Sequence, residues 1–546
     1  MNVTRVCLLL AGAAGTILAW AETDPALKHA GAAITPDALL RHIKVLSSDD
    51  FAGRGPGTPG ETKSLAYLID QCKKLKLKPG NPDGSYLEKV TLWGIRSTGS
   101  MTIATPELPS TLTPRQDYIA GSQLPQAKVD IEDSPLLFAG YGVIAPKFNW
   151  NDYKDSDAKG KTVIVLSGDP PVPDPSDPTK LDEKMFLGKS LSVYGRPATK
   201  QEIAYTKGAA AIVTIFAPRP GAATLSRASQ NTPRETMILR DEQSEKRISV
   251  QAQLSIEKAR ELFTANGQDL DALIQSAVRP DFRPVALKST VSFHVQNEVR
   301  KIDSANVIAQ VSGSDSKLKS EYVIYTGHWD HLGQDGDKIY HGASDNASGA
   351  AGVLELARAF TRIHPAPRRT MIFLWTTAEE KGLLGAKYYV QHPLYPLAAT
   401  AANINLDYFS NWGWGRTRDI SIVGLGNSTL DELVVDAARR QGRVVTGDTA
   451  PEQGFYFRSD HLEFANGNVP SLETSPGIDF IGKPAGFGER MRGEYIQNDY
   501  HKVTDQIKPG WDLTGAVEDL QVLVEVGYRV AQSEGHPAWK PDAPYR

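Results

Sequence analysis

Residues 322–349 read Tyr322-Val-Ile-Tyr-Thr-Gly-His328-Trp-Asp330-His331-Leu-Gly and, after a polar loop, His341-Gly-Ala-Ser-Asp345-Asn346-Ala-Ser-Gly349. An apolar run of strand length stops abruptly in histidine and aspartate. Val323 to Tyr325 have the continuous apolar character of a strand buried on both faces, which places the charged residues beyond its carboxyl end. In open α/β sheets that end is where ligands bind, so a metal site is the first hypothesis. The plainer alternative makes His328 and Asp330 a surface loop pair and Asp345 the cap of a helix starting near Asn346.

The rest of the C-terminal half decides between them. Met371 to Trp375 is a second continuous apolar strand and runs into Ala378-Glu379-Glu380. Asn403 to Leu406 is a shorter third and runs into Asp407, and the late segment Asp499-Tyr500-His501 to Asp505 adds further donors. One glutamate pair at a strand end reads as a solvated helix start, but acid or histidine at every strand end is hard to assign to chance. The donors suffice for two metals sharing one carboxylate. Nitrogen and oxygen donors without cysteine suit zinc, with manganese or cobalt as substitutes. Two ions about 3.5 to 4 Å apart can polarise a carbonyl and activate water. One carboxylate must then stay off the metals as base, and adjacent Glu379 and Glu380 can divide those roles.

Strands and helices alternate from Asn306 onward, as expected of a mixed, mostly parallel α/β sheet flanked by helices. A helix is predicted over Asn346 to Phe360 and another around Leu520 to Tyr528. Nearer the amino end, Thr35 to Leu77 holds two helical patterns, the second with Leu65, Leu68, Ile69 and Cys72 on one face. The loop between them, Phe51 to Gly60, is glycine-rich but lacks a Gly-Lys-Ser/Thr ending and has two prolines, so it reads as a rigid turn. From Asp133 to about Arg300 the texture changes to short β-branched strands, Pro135 to Val143, Lys161 to Leu166 and Ala209 to Phe216. The expected organisation is a signal peptide over 1–21, an N-terminal part of the catalytic domain over 22–132, a β-rich insertion over 133–300 and the catalytic domain over 301–546.

The chain has 546 residues, 40% apolar and 23% charged, which places it among globular proteins rather than disordered or fibrous ones. Arg5, the apolar run Val6 to Trp20 and Ala19-Trp20-Ala21 before Glu22 form a signal-peptide pattern, so a periplasmic or secreted protein is expected. Cys7 would leave with that segment, which leaves Cys72 without a partner for a disulfide. No later stretch reaches the roughly 20 apolar residues of a membrane span, so no membrane anchor is expected. The net charge of −4 and the lack of a basic block exclude nucleic acid as an expected partner.

Taken in order, Gly327-His328-x-Asp330, Ser344-Asp345-Asn346-Ala-Ser-Gly349, Ala378-Glu379-Glu380-x-Gly382, Asn405-Leu-Asp407 and Tyr500-His501 resemble the dizinc exopeptidase family. That family includes the bacterial leucyl-type aminopeptidases, glutamate carboxypeptidase II and the transferrin receptor. The Phe51 to Gly60 loop and Arg458-Ser-Asp-His461 with Asn468-Val-Pro470 also match. The resemblance implies His328 and Asp407 on one zinc, Glu380 and His501 on the other, and Asp345 bridging two Zn2+ per chain. It also implies Glu379 as general base, Asp330 as the group orienting His328, and a cis Asp345–Asn346 peptide. The insertion resembles a protease-associated (PA) domain.

Tyr456, two residues before Arg458, is a candidate transition-state donor, with a packing role as the alternative. His331 and His341 read as loop or core histidines. Consecutive Ser459-Asp460-His461 cannot converge into a hydrolase triad. The reading is an exported metallo-aminopeptidase acting on peptides. The alternatives are a carboxypeptidase of the same family, a glutaminyl cyclase, or a non-catalytic binding protein like the transferrin receptor. Four carboxylates around two divalent ions and a hydroxide leave a net negative site, which favours a substrate α-ammonium over a terminal carboxylate.

Overall fold

The computed structural model describes residues 25–105, 112–216, 225, 235–407 and 413–543, so the expected signal peptide lies outside the described residues. The three strands singled out by their apolar runs lie side by side. Tyr322–His328 is central, parallel to Thr370–Thr376 on one edge and to Thr400–Asn405 on the other. Ser471–Pro476 extends the parallel set beyond Thr400–Asn405, whereas Asp419–Val423 runs antiparallel to Ser471–Pro476 and pairs in parallel with Val444–Gly447. The sheet is therefore mixed and mostly parallel on this side, as the strand and helix alternation predicts.

Both faces of the central strands are covered, which explains why they read as unbroken apolar runs. Val323, Tyr325, Met371, Phe373 and Trp375 pack with Val353, Leu356 and Phe360 and with Leu520 and Leu523 on one face. Ile324, Ile372 and Leu374 pack on Ala386, Tyr389 and Phe464 on the other. The covering helices are Gly349–Phe360 and Thr514–Gln532 on the first face, and Leu384–Gln391 and His461–Asn466 on the second. The N-terminal helices Pro36–Leu46 and Pro59–Lys74 start at Thr35 and Thr58, whose hydroxyls accept from Ala38 N and Gly60 N. Cys72 is fully buried in the second of them.

Two strands much longer than usual carry the sheet onward. Leu87–Ala104 and Val285–Val311 pair antiparallel from Leu87↔Val307 to Ala104↔Thr290. At their far end Lys128–Phe138, Thr162–Leu166, Ala211–Ile215 and Val250–Leu254 continue the same sheet. A second apolar core forms there from Phe138, Ile164, Val213, Phe263, Phe293 and their neighbours. It takes in Met101, Ile103, Tyr118 and Ala120, so the β-rich unit draws on chain well before Asp133.

Candidate metal centre

Each strand end delivers its donor to the same point. His328 is the last residue of its strand, and its Nδ1 lies 3.1 Å from the backbone oxygen of Asp330. A carbonyl only accepts, so Nδ1 donates its proton there and Nε2 is the nitrogen turned toward the carboxylates. That Nε2 lies 3.5 Å from Asp345 Oδ1, 3.5 Å from Asp407 Oδ1 and 3.7 Å from Glu379 Oε2. On the other side of Asp345, His501 Nε2 lies 3.1 Å from Asp345 Oδ2 and 3.0 Å from Glu380 Oε2. Asp345 thus turns one oxygen to each group, the arrangement a bridging ligand needs.

Asp345 is not a helix cap. The helix begins only at Gly349, after an irregular turn over Ala343–Ser348 in which the Asp345–Asn346 peptide is cis. Asp505 holds that turn, its two carboxylate oxygens accepting from Ser344 N and Asp345 N at 3.0 Å each. Asn346 donates from Nδ2 to Leu406 O and accepts from Gly349 N, joining the turn to the strand end that carries Asp407. Gly349 has no room for a side chain, because a Cβ there would lie 2.2 Å from both Asn346 Oδ1 and Leu406 O. Asp407 in turn accepts at 2.6 Å from Ser459 Oγ, which itself accepts from Asn405 Nδ2.

The other residues singled out in the sequence take distinct places. The carboxylate of Asp330 accepts from Glu379 N at 3.1 Å, while its Oδ1 is 3.7 Å from His328 Nδ1. What holds the His328 ring is therefore the backbone of Asp330, and the carboxylate fixes the Glu379 turn. Glu379, Asp407, His501, Arg458 and Tyr500 all line one narrow pocket. Tyr456 does not line it; its buried ring packs edge-on against His461 at 4.8 Å. The tyrosines at the pocket are Tyr495 and Tyr500, and Tyr500 Oη accepts from Arg458 Nη2 at 3.1 Å.

Arg54 was not singled out by the sequence. It is buried and donates to Trp329 O, Leu46 O, His341 O and Gly342 O, tying the two loops that carry His328 and Asp345. Burial lowers its guanidinium to about 10 against the opposing pull of Asp345, Asp505, Asp330 and Glu380. The signal was present as one arginine inside the rigid Phe51 to Gly60 turn.

The charges of this cluster are unbalanced toward the negative. Burial alone would lower His328, but Glu379 and Asp407 outweigh it and hold the imidazole well above its ordinary value. Burial likewise opposes the proton on His501, yet Glu380 and Asp345 raise it to about 9. Carboxylates that draw protons onto both imidazoles are short of positive charge, and divalent cations would supply it. His328 Nε2, Asp345 Oδ2 and Glu380 Oε1 are buried without hydrogen-bond partners, in two donor groups, His328–Asp345–Asp407 and His331–Asp345–Glu380. Nitrogen and carboxylate donors in this number and spacing fit zinc.

Residues 306–524 match the model of Peptidase family M28. Among curated proteins, the chain is 29% identical over 208 residues to leupeptin-inactivating enzyme 1 of Streptomyces exfoliatus, covering 37% of this chain and 43% of that one. It is 32% identical over 130 residues to aminopeptidase NAALADL1 of Rattus norvegicus, covering 22% and 16%. The match thus spans less than half the length of either relative. In fold, the chain resembles an aminopeptidase from Aneurinibacillus sp. strain AM-1, with a TM-score of 0.53, 18% identity and coverage of 94% and 98%.

Proposed function

We propose, on the match of residues 306–524 to the model of Peptidase family M28, that the chain is an exported metallo-aminopeptidase that removes N-terminal residues from peptides. The observation that carries this reading is the sharing of Asp345 between the His328–Asp407 and His501–Glu380 groups, with Glu379 beside His328. His328, Asp345 and Asp407 would hold one zinc, and Asp345, Glu380 and His501 the other. When bound, such ions polarise the scissile carbonyl and ease the deprotonation of water.

The chain's own groups do the rest. Burial keeps the Glu379 carboxyl well above the ordinary glutamate value, which suits a base that must receive a proton at the pocket wall. Tyr500 Oη and the Arg458 guanidinium face the same pocket and offer donors to a substrate oxygen. A binding protein without chemistry has no use for a complete donor set plus a free base, and a cyclase working with one zinc has none for the second group.

Polarity at the cleaved end follows from the cations. A carboxypeptidase needs several arginines converging on the substrate carboxylate. Arg416 pairs with Glu518, Arg418 with Asp479, Arg490 with Glu494 and Arg492 with Asp448, which leaves Arg458 as the arginine of this group at the pocket. The acidic surplus receives an α-ammonium instead. Export rests on the 1–21 pattern and agrees with the finding that no helix among the described residues is long and apolar enough to cross a membrane. The β-rich insertion would act as a protease-associated domain.

One peptide assayed in free, N-acetylated and C-amidated forms tests the reading. Acetylation should abolish cleavage and amidation should leave it intact. The reverse pattern would overturn the assignment.

A further inference from the structure

Behind His328 and Asp407 the same two strands carry a row of polar side chains. Thr326 precedes His328 by two residues, Asn405 and Asn403 precede Asp407 by two and four, and Thr326 stands opposite Asn405 in the register of the paired strands. All three are fully buried in a sheet covered on both faces, where a polar group is costly without a partner. They bond one another in series. Asn403 Nδ2 lies 3.0 Å from Thr326 Oγ1, Thr326 Oγ1 lies 2.6 Å from Asn405 Oδ1, Asn405 Nδ2 lies 2.7 Å from Ser459 Oγ, and Ser459 Oγ lies 2.6 Å from Asp407 Oδ2. The carboxylate end sets the direction. A carboxylate only accepts, so the single Ser459 proton goes to Asp407, Asn405 turns its amide N–H to Ser459 and its carbonyl to Thr326, and the Thr326 proton goes to that carbonyl.

Resting on the dimetal reading above, we propose that Thr326 and Asn405 are positioning residues for the metal position of His328 and Asp407, acting through Ser459 on Asp407. With the Asn405 N–H aimed at its oxygen, the Ser459 hydroxyl keeps its proton on Asp407 Oδ2. That holds the carboxylate with Oδ1, 3.5 Å from His328 Nε2, turned toward the position these two donors share. Buried hydrogen bonds in series polarise one another, so a break at Thr326 weakens the last bond as well as its own. Neither Thr326 nor Asn405 lines the pocket, and neither belongs to a candidate metal-donor group, so replacing either removes no donor. What changes is the hold of one position on its ion.

Titration of the metal-free, full-length protein with Co2+, followed by visible absorption, reads the two positions. The class of binding that His328→Ala loses marks the position concerned. Thr326→Val keeps the shape of the side chain and removes its hydroxyl. It should weaken that class by about tenfold, shift its absorption and leave the other class unchanged. Thr326→Ser keeps the hydroxyl and should bind as the wild type does. Asn405→Leu removes both links at once and should weaken the same class by about 10- to 100-fold. Wild-type binding by Thr326→Val, equal losses in the Val and Ser variants, or a loss that does not single out the His328 class overturns the proposal. The Thr326 pair decides even where Asn405→Leu does not fold. Wild-type protein that took up no metal would instead sink the dimetal reading itself, so the two failures are distinguishable.

Discussion

Glu379 and Glu380 are chain neighbours in opposite electrostatic situations. Burial raises both, and for Glu379 the proximity of Asp407 and Glu380 adds to it, with His328 only a partial offset. For Glu380, His501 and His331 outweigh burial and hold the carboxylate well below its ordinary value. The first is suited to exchange a proton and the second to remain an anion on a cation. Replacing Glu379 with Gln should therefore leave two metals bound and lower kcat by about 10²- to 10⁴-fold, the size of a general-base contribution. Turnover and metal content measured on the same preparation check this, and near-normal turnover would place the base elsewhere. His328→Ala should instead lose chiefly one of the two ions, a result read directly by metal analysis. At this scale His328, Glu379, Glu380 and Asp407 were legible because they follow apolar strand runs, whereas Asp345 and His501 were legible only through the motifs around them. The pocket tyrosine was not, since Tyr456 and Tyr500 are equally plausible until the packing of Tyr456 against His461 is seen.

Strands place these side chains, and their legibility followed from burial. Tyr322–His328 and Thr370–Thr376 are covered on both faces, so hydrophobicity alone marked them. The helix expected from Asn346 starts three residues later, because the turn at Asp345 is fixed by tertiary hydrogen bonds donated to Asp505 and Leu406 that no local pattern announces. A similar tertiary constraint sits on Leu87–Ala104. Glu88 is buried there, with Oε2 accepting from Asn306 Nδ2 at 2.8 Å and Oε1 without a partner. Burial raises its carboxyl from 4.5 to about 7. Between those values the folded chain keeps a proton that the unfolded chain releases, so stability falls as pH rises through this window and the loss is complete above about pH 7. A shift of this size corresponds to about 3 kcal/mol. Glu88→Gln keeps an acceptor for Asn306 and removes the titration. It should raise stability by up to about 3 kcal/mol at pH 8 and change little near pH 4.5, as denaturant unfolding at the two pH values would show. Equal effects at both would mean that the carboxyl does not titrate in this range.

Among the described residues one large sheet runs through both of the largest apolar cores, and the long paired strands Leu87–Ala104 and Val285–Val311 join the β-rich unit to the half that carries the candidate metal donors. Composition revealed the unit but not its reach, because contacts between segments far apart in the chain leave no local signature. Its segment around Leu191 touches the pocket wall. Leu191 N–H donates to Pro451 O at 3.2 Å, and its side chain packs with Phe455, Tyr456 and Phe457 and over Gly454, where an added Cβ would meet Leu191 Cδ2 at 2.5 Å. Arg196 lies 5.4 Å from the Phe457 ring centroid. Phe455 and Arg458 on this loop line the pocket, so the β-rich unit packs against the pocket wall, and among its described residues none belongs to a candidate metal-donor group. Truncating Leu191 to Ala removes apolar contact of about 1 to 2 kcal/mol. Because that contact holds the loop rather than the core, the loss should fall on substrate binding, raising KM about tenfold with metal content and melting temperature near wild type. Steady-state kinetics on a tripeptide beside metal analysis would measure it. An unchanged KM would show that the loop around Phe455 is held by the catalytic half alone.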